Sequence, residues 1–267
     1  MHLSALYRYP LKSAMGERLQ ASPVDELGLH GDRRWMLVDA DSGRFLSQRV
    51  LPAMTRLQAR WQSEQQLLLS APEMSPLLVD LPAADQALRS VSVWKDELNV
   101  PDAGDAAADW ASRLLGRACR LVYVPAHRTR QVDRRYAGDG RRVAFADGFP
   151  VLLIGQASLE DLSARVGRPL EMRRFRPNLV IDGSLPYAED GWRRIRIGEV
   201  EFQVVKPCTR CAITTLDPDT GERSVDLEPL ATLQTYRRGE KGVMFGQNLL
   251  VEGEGRLEVG MPVELLN

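Results

Sequence analysis

Cys208 and Cys211 enclose Thr209 and Arg210, and the stretch continues through Ala-Ile-Thr-Thr-Leu into Asp217-Pro-Asp-Thr-Gly221. Two thiols at Cys-x-x-Cys spacing with a fixed cation between them have the chemistry of a soft-metal ligand or of a thiol–disulfide couple. Three readings meet that spacing. A structural zinc site needs four ligands, commonly two such pairs. Here the third cysteine, Cys119, falls beside a strand, and the three histidines, His2, His30 and His127, are scattered. A thioredoxin-like exchange site lies between a strand and a helix, whereas the residues after Cys211 read as a strand and a hairpin. The third reading is a pair of partly buried thiols with no chemical role.

Two other constellations gather cations. In Tyr9-Pro-Leu-Lys-Ser13 a strand stops at Pro10, so the Lys12 ammonium, the Ser13 hydroxyl and nearby backbone N–H groups can face one anion. Gly31-Asp-Arg-Arg-Trp35 adds Arg33, whose planar fork suits phosphate. The same residues also read as surface cations beside a turn. In Arg173-Arg-Phe-Arg-Pro-Asn178, alternation along an extended chain puts Arg176 and Asn178 on one side. A guanidinium beside an amide suits a polar heterocycle carrying a phosphate; an edge strand with a solvated arginine has the same pattern.

These residues need a scaffold. The first hundred residues punctuate as short strands: 3–9, 34–39 and 44–47 across an Asp-Ser-Gly turn, 57–61 and 66–70. That spacing predicts a small barrel or sandwich. Asp105 can cap a helix over 106–115 closed by Gly116, followed by a strand over 120–124. Residues 127–142, with Arg128, Arg130, Arg134, Arg135, Arg141 and Arg142, show no apolar period and predict a long loop. Such a loop could cover an open site, contact a partner or be solvated surface. Further on, a buried strand over 149–154 precedes a helix opened by a capping box at Ser158 and Asp161 and closed by Gly167. Strands follow over 179–181 and 201–205, Pro229 opens a helix, and strands over 249–251 and 262–266 finish the chain. The fold class is mainly β with a few helices (α+β).

A chain of 267 residues with 44% apolar and 27% charged content can bury a core of one large or two ordinary domains, which excludes a disordered chain. A net charge of −1 gives no global bias toward nucleic acid or an anionic membrane. No apolar run approaches the roughly 18 residues of a membrane span, and the N-terminus lacks a secretory pattern. An odd number of cysteines, two of them close together, does not make a secreted disulfide framework, so a reducing cytoplasm is the expected compartment.

In order and number, these segments resemble the MOSC superfamily, specifically its two-module members with an N-terminal β-barrel domain. The resemblance is carried by Tyr9-Pro-Leu-Lys-Ser13, Gly31-Asp-Arg-Arg-Trp35, Asp147-Gly-Phe-Pro-Val-Leu-Leu-Ile154, Arg174-Phe-Arg-Pro-Asn178, Cys208 through Gly221, Glu228-Pro-Leu-Ala-Thr-Leu233 and Phe245-Gly-Gln247. It implies a β-barrel module over 1–98 and a MOSC β-barrel domain over 99–267. It also implies a molybdenum cofactor (molybdenum bound by molybdopterin), with Cys211 as metal ligand and catalytic residue. Lys12, Ser13 and Arg33 would hold the pterin phosphate, Arg176 and Asn178 the pterin, and Thr209, Arg210, Asp147, Gly148 and Phe149 would line the site, the last three through backbone. Arg210 beside Cys211 would favour its thiolate. The implied activity is reduction of N-hydroxylated small molecules, N–OH to N–H. Some bacterial relatives carry a C-terminal ferredoxin-like domain. This chain shows no such cysteine cluster, so electrons are expected from a separate ferredoxin- or flavoprotein-type donor, with no nucleic-acid or membrane partner. The same resemblance leaves open a sulfur carrier, without the pyridoxal-phosphate domain of the sulfurases, or a cofactor-delivery module without turnover. No residue stands out as proton donor; Asp217 is nearest to Cys211 in sequence but lies in a turn motif.

Overall fold

The computed structural model describes residues 1–83 and 85–266. Its largest sheet draws strands from both ends of the chain. In spatial order these are Glu17–Leu19, His2–Arg8, Leu179–Asp182, Val151–Gly155, Gly242–Glu252, Val200–Thr209, Arg194–Ile197 and Val263–Leu266, with Arg238–Gly239 paired to Gly242–Glu252. Val151–Gly155 runs parallel to Leu179–Asp182, and the helix Gln156–Val166 crosses between them. The order returns to its start: Leu3 N–H donates to Met261 O (2.9 Å) and Gly260 N–H to Leu3 O (2.8 Å). That closure leaves one inner face, filled by Leu3, Leu6, Val151, Leu153, Leu179, Ile181, Ile195, Ile197, Phe202, Leu249 and Val251. Their alternation along Val151–Gly155, Leu179–Asp182, Arg194–Ile197 and Gly242–Glu252 fits a closed barrel, while on His2–Arg8 a register shift between Leu3 and Ala5 brings Leu3 and Leu6 to the same face.

The N-terminal module is built from short antiparallel ladders: Gln58–Ser63, Gln66–Ala71 and Met74–Asp80; Leu88–Val93 with Asp96–Pro101; and Trp35–Asp39 with Cys119–Tyr123. Single bridges such as Leu11 to Trp35 and Arg44 to Ser92 connect them. The helix Asp105–Leu115 places Ala107, Trp110 and Ala111 against Trp35, Leu37, Leu57 and Leu67. The architecture is therefore mainly β with a few helices, as expected. The expected division at 98/99 is crossed in both directions. Residues 105–123 pack into the N-terminal core, and His2–Arg8 runs in the sheet of the C-terminal domain.

Three local expectations need correction. Residues 127–142 are not one loop: Arg130–Gln131 pairs with Arg142–Val143 around the short helix Arg134–Ala137. Ser158 is not a helix cap. The helix starts at Gln156, and Ser158 Oγ donates to the buried Glu189 carboxylate (2.8 Å), a tertiary use that overrides the local signal. Asp105 is the first helical residue and Gly104 the cap.

Arg130 is also no surface contact. Its side chain is 5% exposed. Its guanidinium bonds Ala144 O at 3.0 and 3.1 Å, Ala146 O, and Asp96 at 2.9 Å. One buried cation thus fixes the backbone just before Asp147 and ties it to the N-terminal module. Replacing Arg130 with Ala leaves those acceptors and Asp96 without their donor. We expect a stability loss of about 3–5 kcal/mol, read as a lowered denaturant midpoint with unchanged slope; a loss under about 1 kcal/mol would refute this role.

Candidate functional site

Two chain turns meet first. Tyr9 to Lys12 runs beside Arg33 to Trp35, with Arg33 N–H to Tyr9 O at 2.7 Å, Trp35 N–H to Pro10 O at 3.0 Å and Lys12 N–H to Trp35 O at 2.8 Å. This short ladder brings the two cationic motifs together, leaving Lys12 and Arg33 neighbours at the junction with the C-terminal domain. That domain meets them through backbone: Phe145 N–H donates to Arg33 O (3.0 Å), Tyr7 N–H to Asn178 O (2.9 Å) and Asn178 N–H to Leu152 O (2.7 Å).

Around this junction lies an open cleft. Every candidate residue lines it: Lys12, Ser13, Arg33, Asp147, Gly148, Phe149, Arg176, Asn178, Thr209, Arg210 and Cys211. Cys119 does not; it is buried against Ser112, and burial pushes its thiol up. Sequence reasoning missed Phe45, Ser47, Arg49 and Asn248, which also line the cleft. Phe45 and Arg49 lie in or near an expected strand with no motif to mark them.

Lys12 Nζ donates to Phe145 O (2.7 Å) and pairs with Asp147. Burial pulls its pKa down and the Asp147 carboxylate opposes that. Asp147 is exposed at the cleft, and the cleft walls raise its pKa less than the Lys12 ammonium lowers it, so its carboxyl is held well below the usual range. Arg33 spends Nη1 on Asp32 (2.5 Å) and Asn178 Oδ1 (3.1 Å), and Nη2 on Arg176 O (3.2 Å). Burial lowers its pKa; the Asp32 carboxylate more than offsets that, so the charge persists. Its Nε–H and one Nη2 hydrogen remain for a ligand.

Tyr9 meets two guanidiniums. The Arg33 and Arg176 guanidinium carbons lie 4.5 and 4.2 Å from its ring centroid, contacts that hold two like charges on one π-system. Arg176 also donates to Ala14 O (2.6 Å), and burial pulls its pKa down to about 10. Asn178 is 1% exposed. Its Oδ1 accepts from Arg33 and from Leu152 N–H (3.2 Å), and its Nδ2 donates to Tyr7 O (3.1 Å). Most of its hydrogen-bonding capacity joins the modules, leaving one amide hydrogen.

Val200–Thr209 ends between the two thiols, and Cys211, extended at φ −130°, opens the turn Ala212–Thr215. That turn is a 3₁₀ segment rather than the expected strand. Arg210 does not serve Cys211. Its Nη1 donates to Cys208 Sγ (3.1 Å) and its Nη2 to Phe175 O (2.5 Å). The alternation of an extended chain turns the guanidinium back toward the residue two before it. Asp217 lies off the cleft, accepting from Asp219 and Thr220 N–H (both 3.0 Å) and pairing with Arg174 (3.1 Å). It closes a turn and does not line the site.

Comparison with known proteins adds the following. Residues 1–118 match the MOSC N-terminal beta barrel domain and residues 140–264 the MOSC domain. The chain is 35% identical to mitochondrial amidoxime-reducing component 1 of Mus musculus, covering 99% of this chain and 82% of that one. It is 33% identical to the Homo sapiens protein of that name, over 99% and 82%. It is 31% identical to a molybdenum cofactor sulfurase of Oryza sativa subsp. japonica, over 97% of this chain and 34% of that one.

Lysine keeps the charge of Arg33 but cannot reach Asp32, Asn178 and Arg176 at once. Arg33→Lys is expected to cost about 2 kcal/mol of stability, with the denaturant midpoint falling accordingly. An unchanged midpoint would show that the fork does not join the modules.

Proposed function

The chain belongs to the MOSC proteins that join an N-terminal MOSC β-barrel domain to a MOSC domain, and from that premise we propose that it is a molybdenum-cofactor-dependent oxidoreductase reducing N-hydroxylated compounds. The observation that carries this reading is the meeting of Lys12, Ser13, Arg33, Arg176 and Cys211 on one cleft between the modules. The donor set fits the group. A thiol suits a soft, polarizable metal. An ammonium, a hydroxyl and a guanidinium suit a phosphate.

When bound, the cofactor would supply the two-electron chemistry that breaks the N–O bond, the oxygen leaving as water. The chain's own part is to hold and shield. Cys211 would ligate the metal, its position fixed because Thr214 donates to Cys211 O through N–H (3.1 Å) and Oγ1 (3.0 Å). Lys12, Ser13 and Arg33 would anchor the phosphate end and Arg176 and Asn178 the pterin. Phe149 and Phe175 give the cleft apolar walls, which restrict water around the reacting bond. Electrons would come from a separate donor protein of ferredoxin or flavoprotein type. Three cysteines without a disulfide suit a reducing, cytoplasmic setting. Among the described residues no helix is long and apolar enough to cross a membrane.

The test is metal and pterin content, with reductase activity on an amidoxime, after expression in a cofactor-replete host. Wild type and Cys208→Ser should retain molybdenum near one equivalent; Cys211→Ala should lose at least about tenfold and lose activity with it. Molybdenum and activity retained in Cys211→Ala would sink the assignment. Pterin retained without turnover by any donor would indicate a cofactor carrier, and cyanolysable sulfur without turnover a sulfur carrier.

A further inference from the structure

Asp147 is an anion at the end of the cleft assigned to an anion. Its carboxylate pairs with Lys12, whose side chain is 6% exposed, while its own side chain is 63% exposed. A phosphate reaching Lys12 competes with Asp147 for the charge of that ammonium, whose other protein bond goes to Phe145 O. Two other donors already reach the same carboxylate. Trp94 Nε1–H donates to Oδ1 at 3.2 Å, and Arg49 Nη2 stands 3.9 Å from Oδ2. Arg49 has capacity to spare: among the described residues its Nε has no hydrogen-bond partner.

Trp94 is an odd residue for its place. It opens the two-residue turn between Leu88–Val93 and Asp96–Pro101 with φ 56°, a slot that favours Gly or Asn. Its ring is held against Phe45 (centroids 4.9 Å apart) and the Arg49 guanidinium (4.5 Å), yet the residue is 47% exposed. Neither turn chemistry nor burial explains an indole there. Its N–H on Asp147 and its face on Arg49 do: both act on the one carboxylate that competes for Lys12.

We propose that Asp147, Trp94 and Arg49 form a counter-ion gate at the phosphate end of the cleft. Asp147 neutralises Lys12 until a phosphomonoester dianion displaces it, and Trp94 and Arg49 then hold the displaced carboxylate away from the anion. The exposed side chain makes the swing a rotamer change rather than a backbone movement. Because the incoming group must outcompete a carboxylate, the gate favours a dianionic monoester over a singly charged diester. The inference rests on the reading of Lys12, Ser13 and Arg33 as a phosphate site.

The experiment is calorimetric titration of the full-length chain, produced without pterin supply, with inorganic phosphate, methyl phosphate and dimethyl phosphate. Variants are Lys12→Ala, Asp147→Asn, Trp94→Phe and the last two combined, each checked for an unshifted thermal midpoint. Asp147→Asn should tighten phosphate by at least about threefold and narrow the monoester preference. Trp94→Phe should weaken phosphate about threefold in the wild-type background and have no effect in the Asp147→Asn background, because its action runs through that carboxylate. Equal Trp94→Phe effects in both backgrounds, or Asp147→Asn affinity no better than wild type, would overturn the gate while leaving the phosphate site standing. Lys12→Ala binding phosphate as wild type does, or no phosphate binding by wild type, would overturn both.

Discussion

The guanidinium of Arg33 is the point at which the two modules are held in register. Its residue belongs to the N-terminal half, but its side chain bonds Asn178 Oδ1 and Arg176 O, and its carbonyl receives Phe145 N–H. Asn178 in turn reaches Tyr7 and Leu152. Removing either end of such a network leaves buried polar groups unmatched, which costs more than the bonds contribute when intact. The charge on Arg33 survives burial because Asp32, itself 3% exposed, lies against it. A group so fixed cannot move to meet a ligand, so the donors it still offers are aimed in advance.

Of the seven described non-glycine residues with positive φ, four stand at this junction, while Glu73, Tyr187 and Leu227 lie elsewhere. Ser13, Arg33, Trp94 and Arg176 all have positive φ, between 47° and 62°. Three of them line the cleft, and the fourth bonds Asp147, which does. Left-handed backbone at residues with side chains is retained where surrounding structure over-determines it, and it clusters at functional sites. Here each strained residue turns a polar or aromatic group toward the junction. The contact of Tyr9 with two guanidiniums belongs to the same arrangement. One aromatic ring meets both cations, which favours holding them at the same junction.

Much of this was legible in the sequence because local motifs carry local chemistry. Lys12-Ser13, Arg33, Arg176 with Asn178, and the Cys208–Cys211 pair announce themselves by type and spacing, and all line one cleft. What could not be read were roles set by distant partners. Arg130 looks like one of six similar arginines, yet it alone is buried on the Ala144 and Ala146 carbonyls. Ser158 fits a capping box, yet Glu189, far along the chain, claims its hydroxyl. Arg49 and Trp94 sit in turns that carry no site motif, and only the fold brings them to Asp147. The module boundary was obscured for the same reason: His2–Arg8 reads as part of the first β module, and its pairing with Leu179–Asp182 is set by a segment far away in sequence.

The two thiols illustrate how backbone direction settles what composition leaves open. Cys208 and Cys211 are equivalent by type, and Arg210 is adjacent to the second, so sequence proximity favours Arg210 acting on Cys211. The structure assigns the cation the other way. Cys208 lies within the strand, where residue 210 returns to its side, and its sulfur accepts the Arg210 N–H. Cys211 starts a new turn, lines the cleft, and among the described residues its sulfur makes no hydrogen bond to the protein. A ligand thiol needs its sulfur lone pairs free and its backbone fixed. Cys211 has both, through Thr214 on its carbonyl, while the Cys208 sulfur is already engaged by a cation. The asymmetry of the pair follows from where Val200–Thr209 ends, and it is the asymmetry that the proposed ligand role of Cys211 requires.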